Sequence, residues 1–181
     1  MTLQDIKIYT LNSLSLVVSF THVEMVLKLI LLTGSIVYTA QRIWINYNEK
    51  NKIIIHCSAT PPHMDVDAER VNEWHLENGW SGIGYHFFIK RDGQIEIGRP
   101  LEKSGAHTKG YNKTSIGICY AGGVDADMCP EDNRTTEQKS SFLVLLLLLK
   151  NIFPEAIIHG HRDFSNKACP SFDATNEYKK L

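Results

Sequence analysis

Three consecutive isoleucines, Ile53-Ile54-Ile55, followed by His56 and Cys57, leave few architectures open to this chain. Side chains alternate between the two faces of a strand, so an unbroken β-branched run needs apolar cover on both sides. Inner strands of a sheet with helices on its faces meet that need. The same alternation sends His56 and Cys57 to opposite faces. If His56 looks into a cleft, Cys57 looks into the core.

The segments that follow supply the other layers. Ala59-Thr60-Pro61-Pro62 ends the first strand, predicted over 52–58. Asp65 or Asp67 can then cap a helix reaching about residue 78, with Val71, Trp74 and His75 on one face and Gly79 as its terminator. Trp74 and Trp80 read as core or groove-wall aromatics. A second strand is predicted over 84–90, and Arg91-Asp92-Gly93-Gln94 turns it into a hairpin with 94–97. On 84–90, Tyr85, Phe87 and Ile89 should share one face, and His86 and Phe88 the other. A glycine-punctuated loop over 105–114 precedes a strand over 115–120. Thr135 and Gln138 have capping-box spacing and open a helix that runs through the leucines to about Phe153. Its apolar run is too short to cross a bilayer, so a helix buried under the sheet is expected. A short strand at 156–159 and a closing helix within 171–180 complete the pattern. Strands alternating with helices give an α/β domain, a central mixed sheet flanked by helices, over 51–181.

The totals narrow the function. With 19 Lys plus Arg against 20 Asp plus Glu, the chain has no field of one sign, and general nucleic-acid binding is set aside. Cys57, Cys119, Cys129 and Cys169 form no CxxC pair, so no disulfide framework can be argued and their pairing stays open. Nothing in the chain points beyond a monomer.

Within residues 1–50, which precede the domain, residues 7–45 differ in character from everything after them. No charge falls between Ile8 and Thr21, nor between Leu29 and Gln41, while Glu24 and Lys28 sit one helical turn apart. Residues 23–41 are long enough to span a membrane, with Arg42 and Trp44 at an interfacial end. From Met25 the string also resembles an export signal ending near Ala40. The third reading is a long helix packed on the domain. The expectation is an extra N-terminal hydrophobic helical segment making membrane contact through 8–45, in a protein associated with the membrane or exported to the cell envelope, with 46–51 as linker.

The chemistry concentrates near the C-terminus. His159, His161, Lys167 and Cys169 fall within one short stretch after an apolar run. His161 and Cys169, with His56 from the distant strand, make two borderline ligands and one soft one. That set suits a zinc site with one position left for water. A protease reading stays open beside it, with Cys169 as nucleophile and His161 as base.

Taken in order, IIIHCSAT, WHLENGWSGIGYHFFIKRDGQIEIGR, GAHTKGYNKTSIGICYAGG and HGHRDFSNKACPSFD resemble the type 2 N-acetylmuramoyl-L-alanine amidases. That family includes the small amidase-type lysozymes of tailed phages and is related to peptidoglycan recognition proteins. The resemblance covers about 52–179 and implies zinc-dependent hydrolysis of the amide between N-acetylmuramic acid and L-alanine in peptidoglycan. The outcome would be cell-wall lysis or remodelling, as by an endolysin. It implies His56, His161 and Cys169 as zinc ligands and Tyr85 and Lys167 as the non-ligand catalytic positions. It places His107 and Asn112 near the substrate groove, and gives His159 no ligand role. A recognition module that binds peptidoglycan without cutting it is the alternative. The ligand Cys169, whose loss marks that state in the family, argues for an enzyme.

Overall fold

The computed structural model describes residues 49–181. The expectations for an N-terminal anchor, export signal or packed helix lie outside the described residues. Among those described, no helix is long and apolar enough to cross a membrane.

The isoleucine run becomes β1 (Lys52–Cys57), an inner strand as its burial pattern requires. The sheet also holds β2 (Phe87–Ile89), β3 (Ile95–Ile97), β4 (Ser115–Tyr120) and β5 (Ile157–Gly160). Its order is β3-β2-β4-β1-β5. All neighbours are parallel except β3, which returns antiparallel beside β2, so the sheet is mixed. Ile53, Ile54 and Ile55 are fully buried. Each contributes roughly 1.5–3 kcal/mol relative to an exposed side chain.

The two faces of the sheet have different cover. On one, Ile53, Ile55, Cys57, Ile116, Ile118 and Tyr120 pack against Phe142, Leu145, Leu146 and Leu149 of α2 (Thr136–Ile152). On the other, Phe88 and Cys119 pack against Val66 and against Val71 of α1 (Ala68–Glu77). His56 lies in register with Cys119, and Cys119 with Phe88, so these three form one row across the second face. The helices start where their caps dictate. The Asp67 carboxylate accepts the Arg70 N–H, and Thr135 and Gln138 form the reciprocal capping box. Gln138 also donates to the Ala121 carbonyl at 2.9 Å, which ties the start of α2 to the end of β4.

Three expectations need correction. The strand predicted over 84–90 begins only at Phe87, and Tyr85 does not share a face with Phe87 and Ile89. The chain bends at His86, whose N–H bonds the Gly117 carbonyl while its Nδ1 accepts the Gly117 N–H. That bend turns Tyr85 onto the α1 side. The helix α2 is buried on one face only. Leu143, Val144, Leu147, Leu148 and Ile152 remain 46% to 63% exposed, because the sheet reaches a single stripe of the leucine run. The closing helix shrinks to α3 (Ala174–Glu177). There Arg134 bridges Asp132 and Glu177 and lies 3.2 Å from the centre of the Phe172 ring.

Candidate metal centre

Parallel strands of an α/β sheet place their carboxyl ends together, and ligands gather there. In the β1–β5 pair Ile55 stands opposite Gly160, so the next residues, His56 and His161, leave adjacent strand ends side by side. Their ring centroids are 4.5 Å apart. His161 opens a short 3-10 turn, His161–Asp163, and the chain then loops back to Cys169. Three bonds hold that return. The Arg162 N–H donates to the Cys169 carbonyl at 2.6 Å, the Cys57 N–H to the Cys169 sulfur at 3.3 Å, and the Tyr120 hydroxyl to the Pro170 carbonyl at 2.7 Å. The Cys169 sulfur lies 3.8 Å from His56 Nδ1. One ligand atom from each of His56, His161 and Cys169 lies within 4.8 Å of the others.

The electrostatics suit a cation. Burial first, then His107, His161 and Lys167, hold the His56 imidazole well below its usual range. Burial and then Lys167 lower His161. Both rings are therefore neutral near pH 7, the form that ligates. Hydrogen bonding with the Cys57 thiol, followed by burial, pushes the Cys169 thiol up, against the opposing pull of the Cys57 backbone N–H. A divalent cation would have to displace that proton, as cations do at thiol sites. Two neutral imidazoles and one thiol, brought within 4.8 Å of one another by separate elements, are a donor set that suits zinc with one position left open. Cys57 is turned into the core beneath β1, as strand alternation requires.

The other expected site residues fall into different settings. The Tyr85 ring is 5.1 Å from the His56 ring. Burial, followed by the thiols of Cys119, Cys169 and Cys57, raises its hydroxyl well above the ordinary range, so it stays a neutral donor. Lys167 is exposed, yet near enough to lower both the His56 and the His161 imidazoles. His107 is half-buried, and both of its ring nitrogens have partners within the protein. Its Nδ1 lies 3.0 Å from His56 Nε2 and its Nε2 lies 3.3 Å from Ser115 Oγ. Asn112 braces this loop by accepting the N–H groups of His107 and Thr108, each at 2.8 Å. His159 stands outside the ligand group, with Nδ1 3.5 Å from Asp163.

The sequence did not single out His75, Thr108 or Ser115. His75 Nδ1 accepts the Gly84 N–H at 2.9 Å, and its ring lies between Trp80, at 4.5 Å, and Tyr85, at 5.5 Å. Its place on one helical face with Val71 and Trp74 was readable, but what that face meets depends on the bend at His86.

The family model described as N-acetylmuramoyl-L-alanine amidase matches residues 46–172. An endolysin of Enterobacteria phage K11 is 47% identical over 125 residues, which span 69% of this chain and 83% of that protein. Among solved structures, the endolysin amidase LysCS from Clostridium intestinale aligns at 30% identity with a TM-score of 0.64. That alignment covers 75% of this chain and 84% of that one. The ectodomain complex of peptidoglycan recognition proteins LCa and LCx, solved with bound tracheal cytotoxin, aligns at 28% identity and a TM-score of 0.60. It covers 74% of this chain and 82% of the matched chain.

Proposed function

The chain belongs to the N-acetylmuramoyl-L-alanine amidase family, and from that premise we propose a specific reaction for it. The protein hydrolyses the amide joining the lactyl group of N-acetylmuramic acid to L-alanine in peptidoglycan, using a zinc ion held by His56, His161 and Cys169. The observation that supports this reading is the convergence of those three ligand atoms within 4.8 Å at the carboxyl ends of two adjacent strands.

When bound, zinc supplies Lewis acidity to the scissile carbonyl and brings the pKa of a water towards neutrality. The chain's own groups do the rest. His56 and His161 ligate without protonation because burial keeps them neutral. The Lys167 ammonium acts electrostatically on both rings, and it stabilises the oxyanion that develops on the lactyl oxygen. A cation fixed beforehand favours the transition state over the ground state. Tyr85, kept protonated beside His56, donates a hydrogen bond that orients the attacking water. Asn112 holds the loop that borders the site through its side-chain oxygen, and its amide NH2 is the group it would offer to substrate.

The test is mass spectrometry of purified cell wall after incubation with the purified protein. Free lactyl groups on muramic acid and peptides beginning with L-alanine should appear, vanish on chelation, and return with about one zinc per chain. Full activity in metal-free protein would remove zinc from the reading. Binding to cell wall without release of peptides would instead make the protein a recognition module. The proposed place of action is the cell envelope, with residues 8–45 as anchor or export signal. Recovery of the full-length, unprocessed chain wholly in the soluble fraction would refute that.

A further inference from the structure

We infer that His107 and Ser115 are positioning residues for the metal site: through a chain of hydrogen bonds ending on the Tyr111 carbonyl, they fix the proton of His56 on Nε2 and leave Nδ1 facing His161 and Cys169. This rests on reading His56, His161 and Cys169 as a metal centre. It replaces a groove-lining role for His107 with one behind the ligand.

The direction of every bond follows from the far end of the chain. A carbonyl oxygen can only accept, so the Ser115 hydroxyl, 2.8 Å away, gives its hydrogen to Tyr111. Ser115 is fully buried. Its remaining lone pairs face His107 Nε2 at 3.3 Å, so that nitrogen carries the proton of the His107 ring. A neutral imidazole has one N–H, which leaves His107 Nδ1 bare and able only to accept. His56 Nε2 lies 3.0 Å from it. Two bare nitrogens at that separation would repel, so His56 Nε2 is the donor. Thr108 Oγ1, 3.0 Å from His107 Nδ1 and 3.3 Å from His56 Nε2, adds a branch of the same polarity: it accepts from His56 or donates to His107. His56 Nδ1 is then left with its lone pair free, 3.8 Å from the Cys169 sulfur.

The protein has made a fitted seat for the His107 ring. A Cβ built on Gly105 would lie 2.4 Å from His107 Cδ2, and one built on Gly117 would lie 2.5 Å from the same atom. Only glycine leaves room for the ring on both sides. The backbone of His107 is pinned as well, because Asn112 holds its N–H and that of Thr108. Ligating histidines generally donate their second N–H to an acceptor that fixes ring and tautomer, and losing that acceptor costs about 10–100-fold in metal affinity. Here the acceptor is a neutral imidazole, which orients the ligand without adding negative charge.

The test uses the full chain and two measurements. In the zinc-loaded, nitrogen-15-labelled protein, two-bond proton–nitrogen correlations should show His56 and His107 both as Nε2–H tautomers. In chelator competition, His107→Ala and Ser115→Ala should weaken zinc binding by about 10–100-fold. His107→Asn, whose carbonyl oxygen can take the place of Nδ1, should recover most of the loss. An Nδ1–H tautomer at His56, or wild-type zinc affinity in folded His107→Ala, overturns the inference while leaving the metal site intact. Failure of the wild-type chain to bind zinc overturns the metal reading itself. If the alanine variants do not fold, the tautomers in the wild-type protein decide.

Discussion

Replacing Lys167 by alanine separates its proposed chemical role from stability and from metal binding, because the structure predicts a different outcome for each. The side chain is exposed, and the backbone N–H of Lys167 donates to Ser165 Oγ at 3.3 Å. Its removal should change folding stability by no more than about 0.5 kcal/mol, as for most surface substitutions. Lys167 lowers the proton affinity of both His56 and His161, so it opposes positive charge at the place where a cation would sit. Zinc should therefore bind Lys167→Ala as tightly as the wild type or somewhat more tightly. Turnover should move the other way. Loss of one preorganised oxyanion donor raises the barrier by about 2.7–4 kcal/mol, which lowers kcat roughly 10²–10³-fold. Lys167→Arg keeps the charge and should retain part of the rate. The assay is release of L-alanine-headed peptides from purified cell wall, alongside zinc titration and thermal melting. Wild-type turnover in a zinc-loaded Lys167→Ala protein would refute the reasoning, as would loss of zinc.

Acid should destabilise the metal-free protein through its buried histidines. Burial, then Lys50, pushes His86 down to about 4, and His56, His107 and His161 are lowered as well. Between the ordinary value near 6.5 and the depressed folded value the unfolded chain binds more protons, so stability is fully present above about pH 6.5 and drains as pH falls towards 4. Urea midpoints that stay constant from pH 7.5 to 4.5 would contradict this. The two sides of α2 should respond differently to truncation. Leu146→Ala, at a fully buried position, should cost about 2–5 kcal/mol, whereas Leu148→Ala, 55% exposed, should cost under about 1 kcal/mol. Equal melting temperatures for the two variants would mean that the outer face is covered.

Legibility in the sequence divides along the range of the interaction involved. Ile53–Ile55 marked a strand buried on both faces because that pattern is local and has one physical solution. The Thr135–Gln138 box and the Asp92-Gly93 turn were readable for the same reason. Tyr85 was misplaced because strand alternation holds only while the strand runs straight, and the bend at His86 is made by Gly117, a residue of another strand. The helix expected under the sheet lies there on one face only, because a leucine run shows how much apolar surface exists, not how much the sheet can reach. The candidate site shows the same division more sharply. Residue types named His56, His161 and Cys169 as a ligand set, but their meeting depends on β5 lying beside β1 with Ile55 opposite Gly160. Slipping that register by one residue would move His161 about 3.3 Å along the strand axis and turn His56 and His161 to opposite faces of the sheet. No local pattern in 156–161 encodes this pairing. It is set by burial of Ile158 beside Ile53 and by the return of Cys169 to the Cys57 N–H. The candidate metal centre is therefore a consequence of core packing, and substitutions at Ile158 that shift β5 should weaken zinc binding in a chelator competition without touching a proposed ligand.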